Sequence, residues 1–508
     1  MHRCWEIAEL VHLVFNELDP YIPGIFYVTH PLRMNAIALC RLAQTCRRFS
    51  DPALDVLWRV NEGFISLLRC LPSHAWEIRE GRFIVVSPLD LEDWARCLDH
   101  SKRVKIFSYR GDPIIVDSSA LESMISLPPG TLLPNVTALT PQNWNFLFNQ
   151  DRALFSYLTL LLGPRVDNVS VFLDGPTFRS SALLSFASHF RCLEHVHIGA
   201  PPTQQQIALK CVPSFITLIA PRTLDVLGLN HQAYRHISSL SNLVTLTSKV
   251  TIGNIIAMPF PGPSRPSPET AFPALRELQL TVSIPYFAIN FLSVFHDAPL
   301  TTLCLSTTEE STAENVFALL PAISDACAIC HLETLRIFLC EDKDLVFDDP
   351  SSYTLTFEFI RHLLVYRNLH HFSLACPVGF ELHDISMETI GRALPRLKIL
   401  YVMGDLSPLV VPESHPTLSS LVTLSQLCSR LHKVWLAVDT ISVPLVPCDS
   451  GGKTSALTWH PLDSVLHRAT DVAKFLSANL PGLHIRSPNQ VWREVGDLLI
   501  ARVETARE

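Results

Sequence analysis

The apolar positions of this chain follow two different periods. From Ile7 to Trp58 they step by three and four residues, the spacing of one helical face. The stretch "IAELVHLVFNEL" puts Ile7, Leu10, Val11, Val14, Phe15 and Leu18 on one stripe. Leu39, Leu42, Ala43 and Cys46 form a second, and Leu54, Leu57 and Trp58 a third. Between the last two, Ser50 and Asp51 are good N-caps, and Pro52 suits a first helical position, where a missing N–H costs nothing. Three short helices are predicted over the first 60 or so residues, too little chain to bury a robust core alone.

From about residue 130 the pattern becomes Leu-x-x-Leu-x-Leu. Copies begin at Val166, Leu193, Leu224, Leu275, Leu300, Leu332, Leu369, Leu397 and Leu431, with a weaker one at Leu243. Successive copies lie between 19 residues apart (Leu224 to Leu243) and 37 apart (Leu332 to Leu369), and each follows an apolar, helix-like stretch. This is the pattern of leucine-rich repeats: three apolar positions point inward from a parallel strand, and only neighbouring repeats can cover them. The Asn usual after the last Leu is missing throughout; Cys340 is the one position of an accepted type. The expected architecture is an α/β repeat, an irregular leucine-rich-repeat solenoid with parallel strands behind a three-helix module. Its boundaries fall at 1–60 for the module, 61–130 for connecting helices and a first irregular repeat, 131–445 for the array, and 446–508 for a loop and a C-terminal cap. In the cap a helix, a short strand at Leu483–Ile485 and a closing helix are predicted, with a polar outer face.

In such an array the residue between the second and third apolar positions points outward. In order these are Gln279, Cys304, Arg336, Ser373, Tyr401 and Trp435. With strands about 4.8 Å apart, Tyr401 and Trp435 should be neighbours and Arg336 two strands from Tyr401. Tyr, Trp and Arg are the residue types that most often anchor interfaces. Arg336, Phe338, Tyr401, Met403, Lys433 and Trp435 are therefore the candidate target-binding residues. The competing expectation is that the C-terminal cap, or the loop before it, folds over this face and buries Trp435 as core.

Composition narrows the function class. The chain has 508 residues, 48% hydrophobic and 17% charged, with a net charge of −8 and no basic run, so nucleic-acid binding lacks its electrostatic footprint. Trp5, Glu6 and Glu9 interrupt what would be a secretory h-region, and no apolar run approaches the ~18 residues of a membrane span. The 14 cysteines are scattered singly, as reduced core residues are, so cytosol or nucleus is expected. "CAICH" (Cys327, Cys330, His331) matches a haem-attachment spacing but ends a helix where small apolar residues are wanted, so core packing is expected. "GGKTS" (451–455) has Pro447 where a phosphate-binding loop needs Gly. The glycosylation-type sequences at Asn135 and Asn168 lie at strand starts, and His195, His197, His370 and His371 read as strand-surface histidines. The Pro-rich 258–270 and acidic 340–352 stretches read as solvated loops. No catalytic, metal or cofactor residue is assigned; an uncharacterised hydrolase stays as an alternative lacking a visible triad.

Ile7, Glu9, Leu10, Val14, Phe15 and Leu18, followed by Leu42, Cys46, Arg47, Phe49 and Trp58, resemble the F-box, the docking motif of SCF-type ubiquitin ligases. The opening "MHRC" and the "FSDPALDVLW" segment are similar to basidiomycete fungal F-box-like proteins. The resemblance implies that the helices bind a Skp-type adaptor, and through it a cullin ligase, using Ile7, Leu10, Val14, Phe15, Leu42, Cys46 and Phe49. It also implies that the array holds an unknown protein target for ubiquitylation, with no enzyme activity in the chain itself. Ala8 stands where the family usually has Pro, and residues 19–35 make a longer first loop than usual. A repeat scaffold without a ligase role is the alternative those departures leave open.

Overall fold

A computed structural model describes residues 7–20, 30–108, 114–140, 160–172, 187–190, 192–200, 212–229, 231–250, 271–293, 295, 298–309, 311–339, 350–376, 379–404, 415–441, 443, 457–462, 464, 466, 468–487 and 489–505. The chain divides into two compact units, Met1–His236 and Ile237–Glu508. The 258–270 stretch, residues 340–349 and "GGKTS" lie outside the described residues.

The first unit opens with α1 (Ala8–Glu17), α2 (His30–Thr45) and α3 (Arg47–Trp58). Val11, Phe15, Leu39, Ala53 and Val56 form their shared interior, with Leu42, Phe49 and Leu57 against it. The start of α3 corrects the sequence reading. The break falls at Cys46, which is extended (φ −158°, ψ 157°), and Pro52 lies inside the helix rather than at its first position. Phe49 and Ser50 donate backbone bonds to the Cys46 carbonyl, so the helix is nucleated a turn earlier than the Ser-Asp-Pro signal suggests. Asp51 is no cap; its carboxylate accepts from Arg103 at 2.7 Å.

After α3 come β1 (Val60–Asn61), α4 (Phe64–Leu68), β2 (Trp76–Arg79), β3 (Arg82–Val85), α5 (Leu91–Ser101), β4 (Ile106–Phe107), β5 (Ile115–Val116), α6 (Ser118–Ile125), β6 (Ala138–Leu139), β7 (Asn168–Phe172), β8 (His195–Gly199) and β9 (Thr223–Val226). The strands β1, β4, β6, β7, β8 and β9 pair in that order, all parallel. The sheet thus begins directly after α3, well before residue 130. Separately, β2 and β3 form a hairpin whose turn residues Glu80 (φ 54°) and Gly81 (φ 73°) both take the positive φ of a two-residue I′-type turn, and β5 adds to it in parallel. Pairing also corrects one repeat. Leu224 faces Val196, the second apolar position of its neighbour, so that copy begins at buried Pro221 rather than at Leu224.

The second unit contains β10 (Thr245–Val250), β11 (Glu277–Val282), β12 (Thr302–Thr307), β13 (Thr334–Leu339), β14 (Leu355–Thr356), β15 (His371–Cys376), β16 (Phe380–Glu381), β17 (Ile399–Gly404), β18 (Lys433–Leu436), β19 (Leu457–His460) and β20 (Leu483–Ile485). All but β14 and β16, which pair with each other, form one parallel succession in chain order. Helices such as Pro285–Leu292, Leu319–Ala326, Phe357–Leu363, Asp384–Ala393 and Leu418–Leu427 supply the crossovers that parallel strands require. Inward positions alternate with outward ones: Leu335, Ile337 and Leu339 are buried, while Thr334, Arg336 and Phe338 are half-buried. At β10 the third inward position is Ser248, buried with no hydrogen-bond partner for its hydroxyl among the described residues. That polar intrusion explains why the Leu243 copy is the weak one.

The array runs past 445, because β19 and β20 continue the sheet. Trp459 on β19 packs edge-to-face on Trp492 of the closing helix Gln490–Thr505, ring centres 5.0 Å apart. Both indoles are buried, and both N–H groups donate to carbonyls: Trp459 to Leu436 at 3.1 Å, Trp492 to Ser464 at 2.9 Å. The closing helix does not present a purely polar outer face; Val491 and Ile500 are exposed beside Arg493 and Glu494.

Candidate docking surfaces

Helix α1 carries apolar residues beyond the stripe it buries, beside the exposed polar residues Glu9, His12, Asn16 and Glu17. Val11 and Phe15 turn into the module interior, and the Phe15 ring meets Phe49 edge-on at 5.6 Å. On the other side Ile7 is 47% exposed, Leu10 38%, Leu13 61% and Val14 44%. Met34 and Ile37 on α2 are exposed as well. Exposed apolar side chains gathered in one patch mark a surface suited to a partner.

The residues expected to meet an adaptor therefore separate into three groups. Ile7, Leu10 and Val14 lie outside. Leu42, Cys46 and Phe49 are half-buried, and Leu42 and Phe49 pack onto the interior. Phe15, at 1% exposure, is a core residue, and a docking role for it is corrected: its surface is already spent on Phe49 and its neighbours. Leu13, Met34 and Ile37 were not singled out from sequence, though their apolar character on predicted helices was there to read. Ala8 occupies the first position of α1, where Ala and Pro are both well tolerated, so the departure from the family pattern leaves the helix in place.

The module is tied to the segment that follows it. Arg103 donates to Asp51 and to Asp55, Arg59 pairs with Asp19, and Trp58 stacks on His100 with ring centres 4.7 Å apart. Burial pushes the His100 pKa down, against the pull of Asp99.

In the second unit the outward residues stand in register: Gln279 beside Cys304, then Arg336, Ser373, Tyr401, Trp435 and His460. Arg336 is two strands from Tyr401, and Tyr401 and Trp435 are neighbours with ring centres 5.6 Å apart. Both are half-buried, as are Arg336, Phe338 and Met403, while Lys433 is exposed. Phe338 reaches Tyr401 at 6.1 Å, and the Tyr401 hydroxyl donates to the Met403 sulfur at 3.1 Å. The sequence reading stopped at Trp435; the ladder continues to His460, which lies flat on Trp435 at 4.4 Å. His460 was hidden because β19 itself was not recognised.

His371 organises the other end. Its Nδ1 accepts from Arg336 at 3.1 Å, leaving Nε2 to donate to the Ser373 hydroxyl at 2.7 Å. Burial, aided by the Arg336 charge, holds its pKa down to about 4, which keeps the ring neutral in that role.

On the first unit's sheet Ser170, His197 and Asp225 stand side by side on β7, β8 and β9. His197 Nδ1 lies 2.7 Å from Asp225, and that bond raises the His197 pKa. Their side chains keep 49% and 41% of their surface. A pair so exposed contributes at most about 1 kcal/mol and is not the water-excluded, preorganised base that acyl transfer needs. Of the "CAICH" residues, Cys327 is buried with its pKa pushed up to about 12, whereas Cys330 and His331 are exposed, so they do not face a common ligand. Asn135 is engaged by the Lys102 carbonyl and Arg165. His370 meets Glu333 at 3.5 Å.

No family model matches the chain, and no curated protein matches it. Among solved structures it is similar to the crystal structure of a TLR13–ssRNA13 complex, at 14% identity and a TM-score of 0.35, over 76% of this chain and 47% of that one. It is also similar to the yeast Rad7 and Elc1 complex, at 15% identity and a TM-score of 0.31, over 80% of this chain and 93% of that one. The chain thus spans about half the length of the first of these. Superpositions this loose do not bear on function, and the parallel architecture rests on the strand pairings themselves.

Proposed function

We propose that the chain is a substrate-recognition adaptor of an SCF-type ubiquitin ligase, of the F-box-like kind with degenerate leucine-rich repeats. In this reading the outer face of α1 and α2 binds a Skp-type adaptor and thereby a cullin ligase. The outward face of β13 to β18 holds a protein target, and the chain itself performs no chemistry. The observation that carries the proposal is the exposed apolar group of Leu10, Leu13 and Val14 on α1, with Met34 and Ile37 on α2, on a small module whose own core is already filled. The ion pairs from Arg103 and the Trp58–His100 stack support it, since they fasten α3 to the segment around α5 that follows it instead of leaving it on a loose tether. The compartment proposed is cytosol or nucleus. Among the described residues no helix is long and apolar enough to cross a membrane.

The test is co-expression of the full chain with a Skp-type adaptor. A complex that survives gel filtration, and that is lost in Leu10→Asp/Val14→Asp, is expected. A folded chain that never retains the adaptor refutes the ligase reading and leaves a repeat scaffold.

A further inference from the structure

The outward rows of the second unit change character along the sheet. Across β13, β15, β17, β18, β19 and β20 they contain no Asp or Glu at all. They do contain Arg336 on β13 and Lys433 at the start of β18, and Arg486 follows β20 directly. Among the described residues none of these three cations has a carboxylate partner. Glu333, one residue ahead of β13, is the nearest carboxylate along that strand; it lies 3.5 Å from His370. In a chain of net charge −8, positive charge without a carboxylate partner among the described residues thus gathers on one face, around a row of rings.

We infer that this face binds an Asp/Glu-rich segment of the target protein, in extended form, across strands β13 to β20. The inference rests on the target-binding role proposed above and gives it a chemistry. Charge complementarity is the first reason, because among the described residues Arg336, Lys433 and Arg486 have no carboxylate partner, and an acidic segment supplies one. Spacing is the second. Arg336 stands in the Trp435 row three strands before β18, roughly 14 Å across the sheet, and Arg486 follows β20 two strands beyond β18, roughly 10 Å across, with Lys433 one outward position ahead of Trp435. An extended peptide turns every second side chain, about 6.6 Å apart, toward one surface, so alternate carboxylates along it can each come within reach of one of these cations. Ring geometry is the third. Trp435 lays its face against His460 at an angle of 9°, and Tyr401 tilts against Trp435 at 51°. The face of Trp435 toward His460 is taken, so the row is poorly arranged for the base stacking that single-stranded nucleic acid uses. Ring edges carry the positive rim of the quadrupole and suit carboxylates. The low pKa of His460, caused by burial and then by Arg486 and Lys433, fits a face with surplus positive charge.

The experiment uses the full chain and a fluorescein-labelled decapeptide of alternating Asp and Ala, read by anisotropy at low ionic strength. Its Asn-for-Asp and Lys-for-Asp analogues and a labelled decauridylate are run beside it. The Asp peptide should bind, weaken as salt is added, and bind at least about tenfold better than the Asn analogue. Lys433→Glu and Arg486→Glu change exposed side chains and should keep the fold; each should weaken Asp-peptide binding roughly three- to tenfold. No binding, equal binding of the Asn or Lys analogue, indifference to both reversals, or tighter binding of the decauridylate each overturns the inference. Adaptor co-purification on the same preparations separates the two claims. Adaptor kept with no peptide binding sinks only this inference, and peptide bound with no adaptor sinks only the ligase reading.

Discussion

Helix α1 allows its two faces to be told apart by substitution. Leu10 and Val14 keep 38% and 44% of their surface in water. Complete burial of such a side chain is worth about 1.5–3 kcal/mol, so covering the remaining four-tenths gives about 0.6–1.2 kcal/mol each on docking. Replacing both by Asp removes that gain. It also sets two carboxylates against an apolar partner surface, at about 1–3 kcal/mol each. The total of roughly 3–8 kcal/mol corresponds to at least a hundredfold loss of affinity. Stability should hardly change, since neither residue belongs to the interior. Phe15→Ala should do the opposite. It deletes the largest member of a small core and its ring contact with Phe49, at about 3–5 kcal/mol, and the module should melt. Far-UV circular dichroism with thermal unfolding reads the fold, and calorimetric titration with a Skp-type adaptor reads docking. A folded Leu10→Asp/Val14→Asp protein that binds within threefold of the parent refutes the assignment of this face.

Other outcomes follow from single sites. A Cβ on Gly163 would sit 2.4 Å from the Pro134 carbonyl oxygen and 2.8 Å from its carbon, both backbone atoms locked by the Gly163–Leu133 hydrogen bond. Gly163→Ala should therefore cost about 2–4 kcal/mol and lower the first unit's melting temperature by roughly 5–10 °C, read by calorimetry. Thiol labelling of the native chain should modify exposed Cys40, Cys192 and Cys330 quickly and spare Cys97 and Cys327, whose pKa values burial pushes up to about 12; mass spectrometry of the labelled peptides checks the order. His371 ties stability to acid. Its folded pKa of about 4 lies below the unfolded value near 6.5, so between those limits the unfolded chain takes up a proton that the fold refuses. The stabilising term is complete above about pH 6.5 and is lost as pH falls toward 4. His371→Gln keeps the two hydrogen bonds, and should flatten that slope in urea titrations run at several pH values.

The repeat strands were the legible part of this chain, because burial alone sets a Leu-x-x-Leu-x-Leu period and parallel pairing keeps every copy in step. A copy that lacks the expected residue type carries no such signal. Pro221 stands where Leu would announce a repeat, which moved that copy to Leu224. β19 offers only Leu457 and Trp459 inside, too few apolar positions to mark a strand. The Ser-Asp-Pro signal points to a later start for α3 than the structure shows, because no local residue type marks the extended backbone at Cys46 that separates α2 from α3. Amphipathic stepping located α1 but could not tell which apolar side turns inward, and so Phe15 was grouped with Leu10 and Val14. The outward row from Arg336 to Trp435 needed only the period of two and the register. His460 and Arg486, by contrast, become part of that face only once the sheet is seen to continue.

Hydrogen exchange on the full chain, with and without a purified Skp-type adaptor, tests the central claim most directly. The account predicts added protection in peptides covering residues 7–18 and 34–45, with the sheet peptides around Tyr401 and Trp435 unchanged until a target is added. No protection at saturating adaptor, or protection confined to the sheet, contradicts it.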